Sequence, residues 1–175
     1  MSKPSGSFDW DPVTGRLEFE GLRHLLLRPE TLAEIQKGVE DRLAGKAAEF
    51  MYAAGAAWAV GACRRLRKGD DLAALAREVC AQATALGWGV WTVQAFEPGA
   101  RRLQVEIQGS PFAEAYGAAD HPVCHLACGA VAGLAESLLA MPAGCGERTC
   151  RAMGHPSCVF VAEGQDLAGK ESWGW

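Results

Sequence analysis

The sequence predicts a single α+β domain in which three long helices pack with β-hairpins. Apolar residues alternate with polar ones in three regions, which is typical of strands. Between these regions apolar residues recur every three or four positions, which is typical of helices with one buried face. With 175 residues, 49% of them hydrophobic, the chain can bury a core without disulfides. No repeat or long linker divides it.

The elements are expected in the order hairpin, two helices, hairpin, helix, hairpin. The first hairpin is predicted in residues 1–20, around a turn at residues 12–15. A helix is predicted from Pro29, and it either continues or bends through the stretch that ends at Gly69. One buried stripe is expected along it: Leu32, Ile35, Val39, Leu43, Ala47, Phe50 and Ala54.

Gly55 lies inside that helix and costs about 1 kcal/mol relative to alanine, so its presence needs a packing reason. Small residues permit close helix approach, either within the fold or across a homodimer. A second helix is expected to be capped by Asp70 or Asp71 and to end at Gly87. The third is expected from about Pro122 to Leu139.

A central hairpin is predicted between the second and third helices. Its apolar residues are Val90, Leu103, Val105 and Ile107. A short helix capped by Ser110, with Pro111 at its first position, is expected to follow. A last pair of strands flanks residues 146–160.

Composition narrows the function classes. The formal net charge of −4 argues against nucleic-acid binding, and the basic run RRLRK is interpreted as a solvated helix end. The start MSKPSGSFDWD has no apolar signal-peptide region, and no apolar stretch approaches the ~20 residues of a membrane span. We therefore expect a cytoplasmic protein whose seven cysteines are metal ligands and structural thiols. Cys63 and Cys80 are expected in the core.

The stretch GERTCRAMGHPSCVF, residues 146–160, is the most informative motif. Glu147 and Cys150 are three positions apart, and Cys158 follows after a turn with Gly154. Two thiolates and a carboxylate suit Zn²⁺, which needs a fourth ligand. The sequence HPVCHLAC just upstream offers four candidates at i, i+4 spacing on the expected helix: His121, Cys124, His125 and Cys128.

Here the chain resembles the 4-vinyl reductase domain family, found in bacteriochlorophyll-synthesis proteins and in sensor domains of phenol- and xylene-type regulators. The resemblance rests on a helix cysteine, then E-x-x-C, a glycine turn and a cysteine before a strand, with CGAVAGLAE and MYAAG in support. It covers residues 21–163, between the hairpin of residues 1–20 and a tail of residues 164–175. It implies a structural zinc ion held by Cys124, Glu147, Cys150 and Cys158. His155 is expected to be solvated, and Cys128 and Cys145 are rival thiols.

The resemblance also implies a small-molecule pocket between the helices and the central hairpin. Phenol-sensing relatives hold the hydroxyl with a histidine before this hairpin and a tryptophan on its second strand. The corresponding segments here, ATALG and VEIQG, contain neither, so phenol is not the expected ligand. The aromatic side chains expected to touch a hydrophobic or aromatic ligand are Tyr52, Trp88, Trp91, Phe112 and Tyr116.

The favoured function is a stand-alone binding domain, a sensor or carrier that forms a homodimer. One alternative is an accessory of bacteriochlorophyll synthesis that binds a tetrapyrrole, and another is a dimeric scaffold. Redox sensing through Cys145, Cys150 or Cys158 ranks last, because zinc would occupy two of these thiols. An enzyme is not favoured, since no G-x-G-x-x-G or GxxxxGK[ST] motif is present. Trp173 and Trp175 are candidates for a partner contact.

Overall fold

The computed structural model describes residues 7–43 and 46–166, and the tail with Trp173 and Trp175 lies outside them. The described residues form five helices and two antiparallel sheets, which confirms the predicted α+β class. The helices are α1 (Pro29–Leu43), α2 (Lys46–Leu66), α3 (Leu72–Ala85), α4 (Pro111–Tyr116) and α5 (His125–Leu139). The strands are β1 (Phe8–Asp11), β2 (Arg16–Phe19), β3 (Leu22–His24), β4 (Val90–Glu97), β5 (Arg102–Gln108), β6 (Ala143–Thr149) and β7 (Cys158–Gly164).

The N-terminal sheet contains the predicted hairpin and one further strand. Strand β1 pairs with β2 around a turn in which the Asp11 carboxylate accepts the Val13 N–H at 2.9 Å. Strand β3 then pairs with β2. Its three residues are too short a run for an alternating pattern to reveal.

The two later hairpins join into one sheet of strand order β4-β5-β7-β6. Leu103, Val105 and Ile107 are fully buried on β5, as predicted. Val90 differs, because it begins an edge strand and 44% of it remains exposed. The joined sheet brings β5 and β7 side by side, and this places Cys158 near the N-terminal end of α5.

Helix ends follow the predicted capping residues. The Asp71 carboxylate accepts the Ala74 N–H at 2.8 Å, and Gly87 ends the segment with a φ of +82°. Ser110 caps α4, with Pro111 at its first position. None of the described helices combines the length and apolarity that a membrane crossing needs.

The predicted stripe along the first helix is wrong. The segment is two helices, α1 and α2, so residues before and after the junction do not share one face. In α1 the buried residues are Ala33 and Gln36, and the Gln36 amide donates to the Val123 carbonyl at 3.2 Å. Ile35, Leu43 and Phe50 are exposed instead.

Helices α2 and α5 cross so closely that only glycine fits at the contact. A Cβ on Gly55 would overlap the Leu126 carbonyl, and one on Gly129 would overlap the backbone of Tyr52. Gly55 therefore serves packing within the fold, and it is not available to a dimer partner. Cys63 and Cys80 are buried in the same core, as predicted.

Candidate metal centre and aromatic cluster

Four predicted ligands meet at one point where α5, β6 and β7 come together. Cys124 immediately precedes α5, Glu147 lies on β6, Cys150 follows β6 and Cys158 begins β7. Their ligand atoms all lie within 4.8 Å of one another. The three cysteines are fully buried. The fold thus assembles a ligand set from residues up to 34 positions apart.

The sulfur spacing fits a tetrahedral ion. The Sγ of Cys124 lies 3.9 Å from that of Cys150 and 3.7 Å from that of Cys158. Thiolates at about 2.3 Å from a tetrahedral Zn²⁺ would be separated by about 3.8 Å. The cluster therefore has the dimensions of a zinc-binding site before any adjustment.

Glu147 is the oxygen donor of this group. Its Oε2 accepts the backbone N–H of Cys124 at 3.0 Å, which fixes the orientation of the carboxylate. Its Oε1 is buried without a hydrogen-bond partner. An unpaired buried carboxylate oxygen is unfavourable, and a coordinated cation would satisfy it.

Protonation in the cluster depends on burial and on the thiol contacts. Burial raises the pKa of Glu147 to about 8. Hydrogen bonds with Cys150 and Cys158, followed by burial, raise the pKa of Cys124, and the hydrogen bonds from Cys124 and Cys158 lower the pKa of Cys150. Protons therefore hold the donors together, and a metal ion would have to displace them.

Backbone groups complete the surroundings of the four donors. The N–H of Arg151 donates to the Cys158 Sγ at 3.3 Å, and the Ser110 hydroxyl lies 3.5 Å from the Cys124 Sγ. The turn between the two cysteines closes at Gly154, whose φ is +89°. Such donors stabilise thiolate charge and orient the ligands.

The remaining upstream candidates do not join the quartet. Helix α5 begins at His125 rather than Pro122, so the expected i, i+4 pairs are not on a common helix face. A residue that precedes proline, as His121 does, disfavours helical backbone. His121 pairs with Asp120, and Cys128 donates its S–H to the Cys145 carbonyl at 3.2 Å. His155 is exposed, as expected.

A second feature is an aromatic cluster between α2, β4 and α4. The Trp88 ring lies 4.5 Å from that of Trp58, 5.6 Å from that of Phe112 and 6.3 Å from that of Trp91, measured between centroids. The Trp91 Nε1 donates to the Trp88 carbonyl at 2.9 Å. Three of the five predicted ligand residues therefore form one cluster with Trp58.

The two predicted tyrosines lie elsewhere. The Tyr52 hydroxyl accepts the Cys145 N–H at 3.0 Å, beside β6, and burial raises its pKa. The Tyr116 hydroxyl donates to Glu40 of α1 at 2.6 Å, and the Lys37 ammonium lies 4.8 Å from the Tyr116 ring centroid. Each tyrosine ties two elements of the fold together.

An open groove of about 540 Å³ lies between α4, the loop after it and the turn after Cys150. The sequence analysis did not predict this groove, because small residues in loops carry no pattern that marks a surface. None of the five predicted aromatic residues lines it. Its lining residues are Ala113, Glu114, Gly117, Ala118, Ala119, Arg151, Ala152, Met153 and Gly154.

Residues 103–164 match the family model of the 4-vinyl reductase domain. This range contains all four candidate metal ligands. The predicted family resemblance is confirmed. A search of curated proteins finds no match.

Solved structures show the same fold. The phenol-responsive sensory domain of the transcription activator PoxR, solved with phenol, has a TM-score of 0.78 and 19% identity, covering 90% of this chain and 84% of that one. A vinyl-4-reductase family protein from Methanocaldococcus jannaschii has a TM-score of 0.53 and 14% identity, covering 82% and 84%. A trafficking protein particle complex subunit 3 from Naegleria fowleri, covalently bound to palmitic acid, also has a TM-score of 0.53 and 14% identity, covering 79% and 95%. At these identities the comparisons establish the fold.

Proposed function

We propose that this chain is a small-molecule-binding domain, a sensor or carrier for a hydrophobic or aromatic ligand, stabilised by a structural zinc ion. The observation that carries the proposal is the similarity to the phenol-responsive sensory domain, which extends over 90% of the chain. The aromatic cluster inside that shared fold adds support, since ligand pockets are rich in aromatic side chains.

The proposed ion is zinc, held by Cys124, Glu147, Cys150 and Cys158. Sulfur-rich donor sets favour zinc, and four protein ligands would fill its tetrahedron. The proposed role is structural, because a filled tetrahedron has no open position for substrate. The ion would tie the start of α5 to the β6–β7 hairpin.

The proposed ligand site is the aromatic cluster of Trp58, Trp88, Trp91 and Phe112. Tyr52 and Tyr116, also predicted as ligand residues, are hydrogen-bonded within the fold and are weaker candidates. Flat apolar molecules suit this cluster, because offset and edge-to-face contacts with rings are favourable. Ligand entry would require a side-chain rearrangement, since these rings already contact one another.

Calorimetric titration with indole, naphthalene and palmitic acid would test this proposal. Trp88→Phe should weaken the binding of the responding compound at least about tenfold. Trp10→Phe is the matched control, because Trp10 lies on β1 and is 62% exposed. Equal affinities in the two variants, or no saturable binding of any compound, would contradict the proposal.

A tetrapyrrole accessory of bacteriochlorophyll synthesis is the alternative that the family resemblance supplies. A Soret-like absorption band in the purified protein would favour it over the smaller aromatic ligand. A band is not expected from the binding domain proposed here.

We also propose that the protein is cytoplasmic and forms a homodimer. The seven cysteines are free thiols, which suits a reducing compartment. The dimer cannot use Gly55, which is packed against α5. A scaffold role would use the same dimer without a ligand, and the titration above distinguishes the two functions.

A further inference from the structure

The outer face of the α1–α2 region exposes large apolar side chains. Ile35 and Leu43 on α1 are 51% and 53% exposed, and Phe50 on α2 is 61% exposed. Ile35 and Leu43 are eight positions apart, so they lie on one side of α1. An aromatic side chain offers roughly 200 Å², so Phe50 leaves about 120 Å² of each chain in water.

Helix α2 is apolar on both of its sides. Residues 50–63 contain no charged side chain. One side carries the buried Gly55, Ala59 and Ala62. The opposite side carries Phe50, Ala53, Ala54 and Ala57, all exposed in the single chain. A helix that is apolar all round is normally covered on every side, which indicates that a partner covers this outer face.

The charges that bound this face indicate which partner. Glu49 precedes the uncharged stretch and Arg64 follows it. They are 15 positions apart, which is about 22 Å along a helix. Within the described part of the chain Arg64 forms no ion pair. An identical helix running in the opposite direction would place its Glu49 beside Arg64, and two-fold symmetry would repeat this pair at the other end.

We propose that the outer face of α2, centred on Phe50 and Ala57, binds the same face of a second copy in antiparallel orientation. Phe50 anchors the apolar contact, and Glu49 of one copy pairs with Arg64 of the other. This inference rests on the homodimer proposed above and adds its surface and orientation. It does not depend on the ligand or on the metal ion.

Sedimentation equilibrium of the full chain tests the surface. The wild-type mass should approach twice 18.6 kDa at about 100 μM. Ala57→Glu should raise the dimer dissociation constant at least about tenfold. Ala81→Glu on the exposed side of α3 is the matched control and should not change it. A monomeric wild type would overturn the homodimer itself. A dimer equally stable in both variants would overturn the surface and leave the homodimer standing.

Charge reversal tests the orientation. Glu49→Arg and Arg64→Glu should each weaken the dimer, because each brings like charges together across the antiparallel interface. The double variant should recover most of the wild-type affinity. Single variants without effect, or a double variant weaker than both, would overturn the antiparallel arrangement.

Discussion

Replacing one proposed zinc ligand should destabilise the fold far more than replacing a core cysteine. We consider Cys158→Ala and, as its matched control, Cys63→Ala. Both thiols are buried, so both variants lose the burial of one sulfur, about 1 kcal/mol each. Only Cys158 lies in the quartet.

The difference between the two variants should come from the ion. With free zinc about 1,000 times above its dissociation constant, binding adds about 4 kcal/mol to stability. For a chain of this size, 1 kcal/mol corresponds to about 3 °C in Tm. Cys63→Ala should therefore lower Tm by about 3 °C, and Cys158→Ala should lower it by about 15 °C.

Thermal unfolding followed by circular dichroism, with zinc content measured on the same samples, is the assay. Cys63→Ala should retain one zinc per chain, and Cys158→Ala should retain none or bind it weakly. Full zinc content in both variants, with equal Tm values, would refute the reasoning. Loss of zinc from Cys63→Ala alone would refute it as well.

Packing and protonation set three further expectations. Gly129→Ala should cost about 1–3 kcal/mol in urea unfolding, because its Cβ would overlap the backbone of Tyr52. Gly38→Ala on α1 meets only the end of a flexible arginine and should be neutral or stabilising, and an equal loss in both variants would contradict the helix crossing described here. Tyr116→Phe removes the hydrogen bond to Glu40 and should lower Tm by about 3 °C, so an unchanged Tm would show that this contact contributes nothing. Bound zinc should be released as pH falls, because protons compete for the thiolates, and affinity that is constant between about pH 8 and pH 5 would argue against thiolate ligands.

The metal quartet was the part of the site that the sequence predicted best. Glu147, Cys150 and Cys158 are close in the chain, and a glycine turn and a strand start place them together. Cys124 was one of four upstream candidates, and only the family resemblance selected it. Its selection depends on backbone geometry before α5, which side-chain periodicity does not describe.

The exposed face of α1 and α2 was predicted incorrectly for a related reason. Periodicity identifies residues that share a helix face, but it does not show what that face contacts. Ile35 and Phe50 fit an apolar stripe, yet the fold buries Ala33 and Gln36 against its own core. Apolar residues on a surface that binds a second copy produce the same pattern as core residues.

The aromatic residues show a similar limit. Trp88, Trp91 and Phe112 meet because β4 and α4 are adjacent in space. Tyr52 and Tyr116 are equally aromatic, but their hydroxyls are bound to β6 and α1. Residue type alone does not distinguish a ring in a cluster from a ring that fastens two elements.

X-ray absorption at the zinc edge, on protein purified without added metal, tests the central claim most directly. We expect one zinc per chain, with three sulfur neighbours at about 2.3 Å and one oxygen neighbour at about 2.0 Å. That result would identify the three cysteines and Glu147 as the ligands. Absence of zinc, or a coordination shell without sulfur, would contradict the claim that this quartet holds a structural zinc ion.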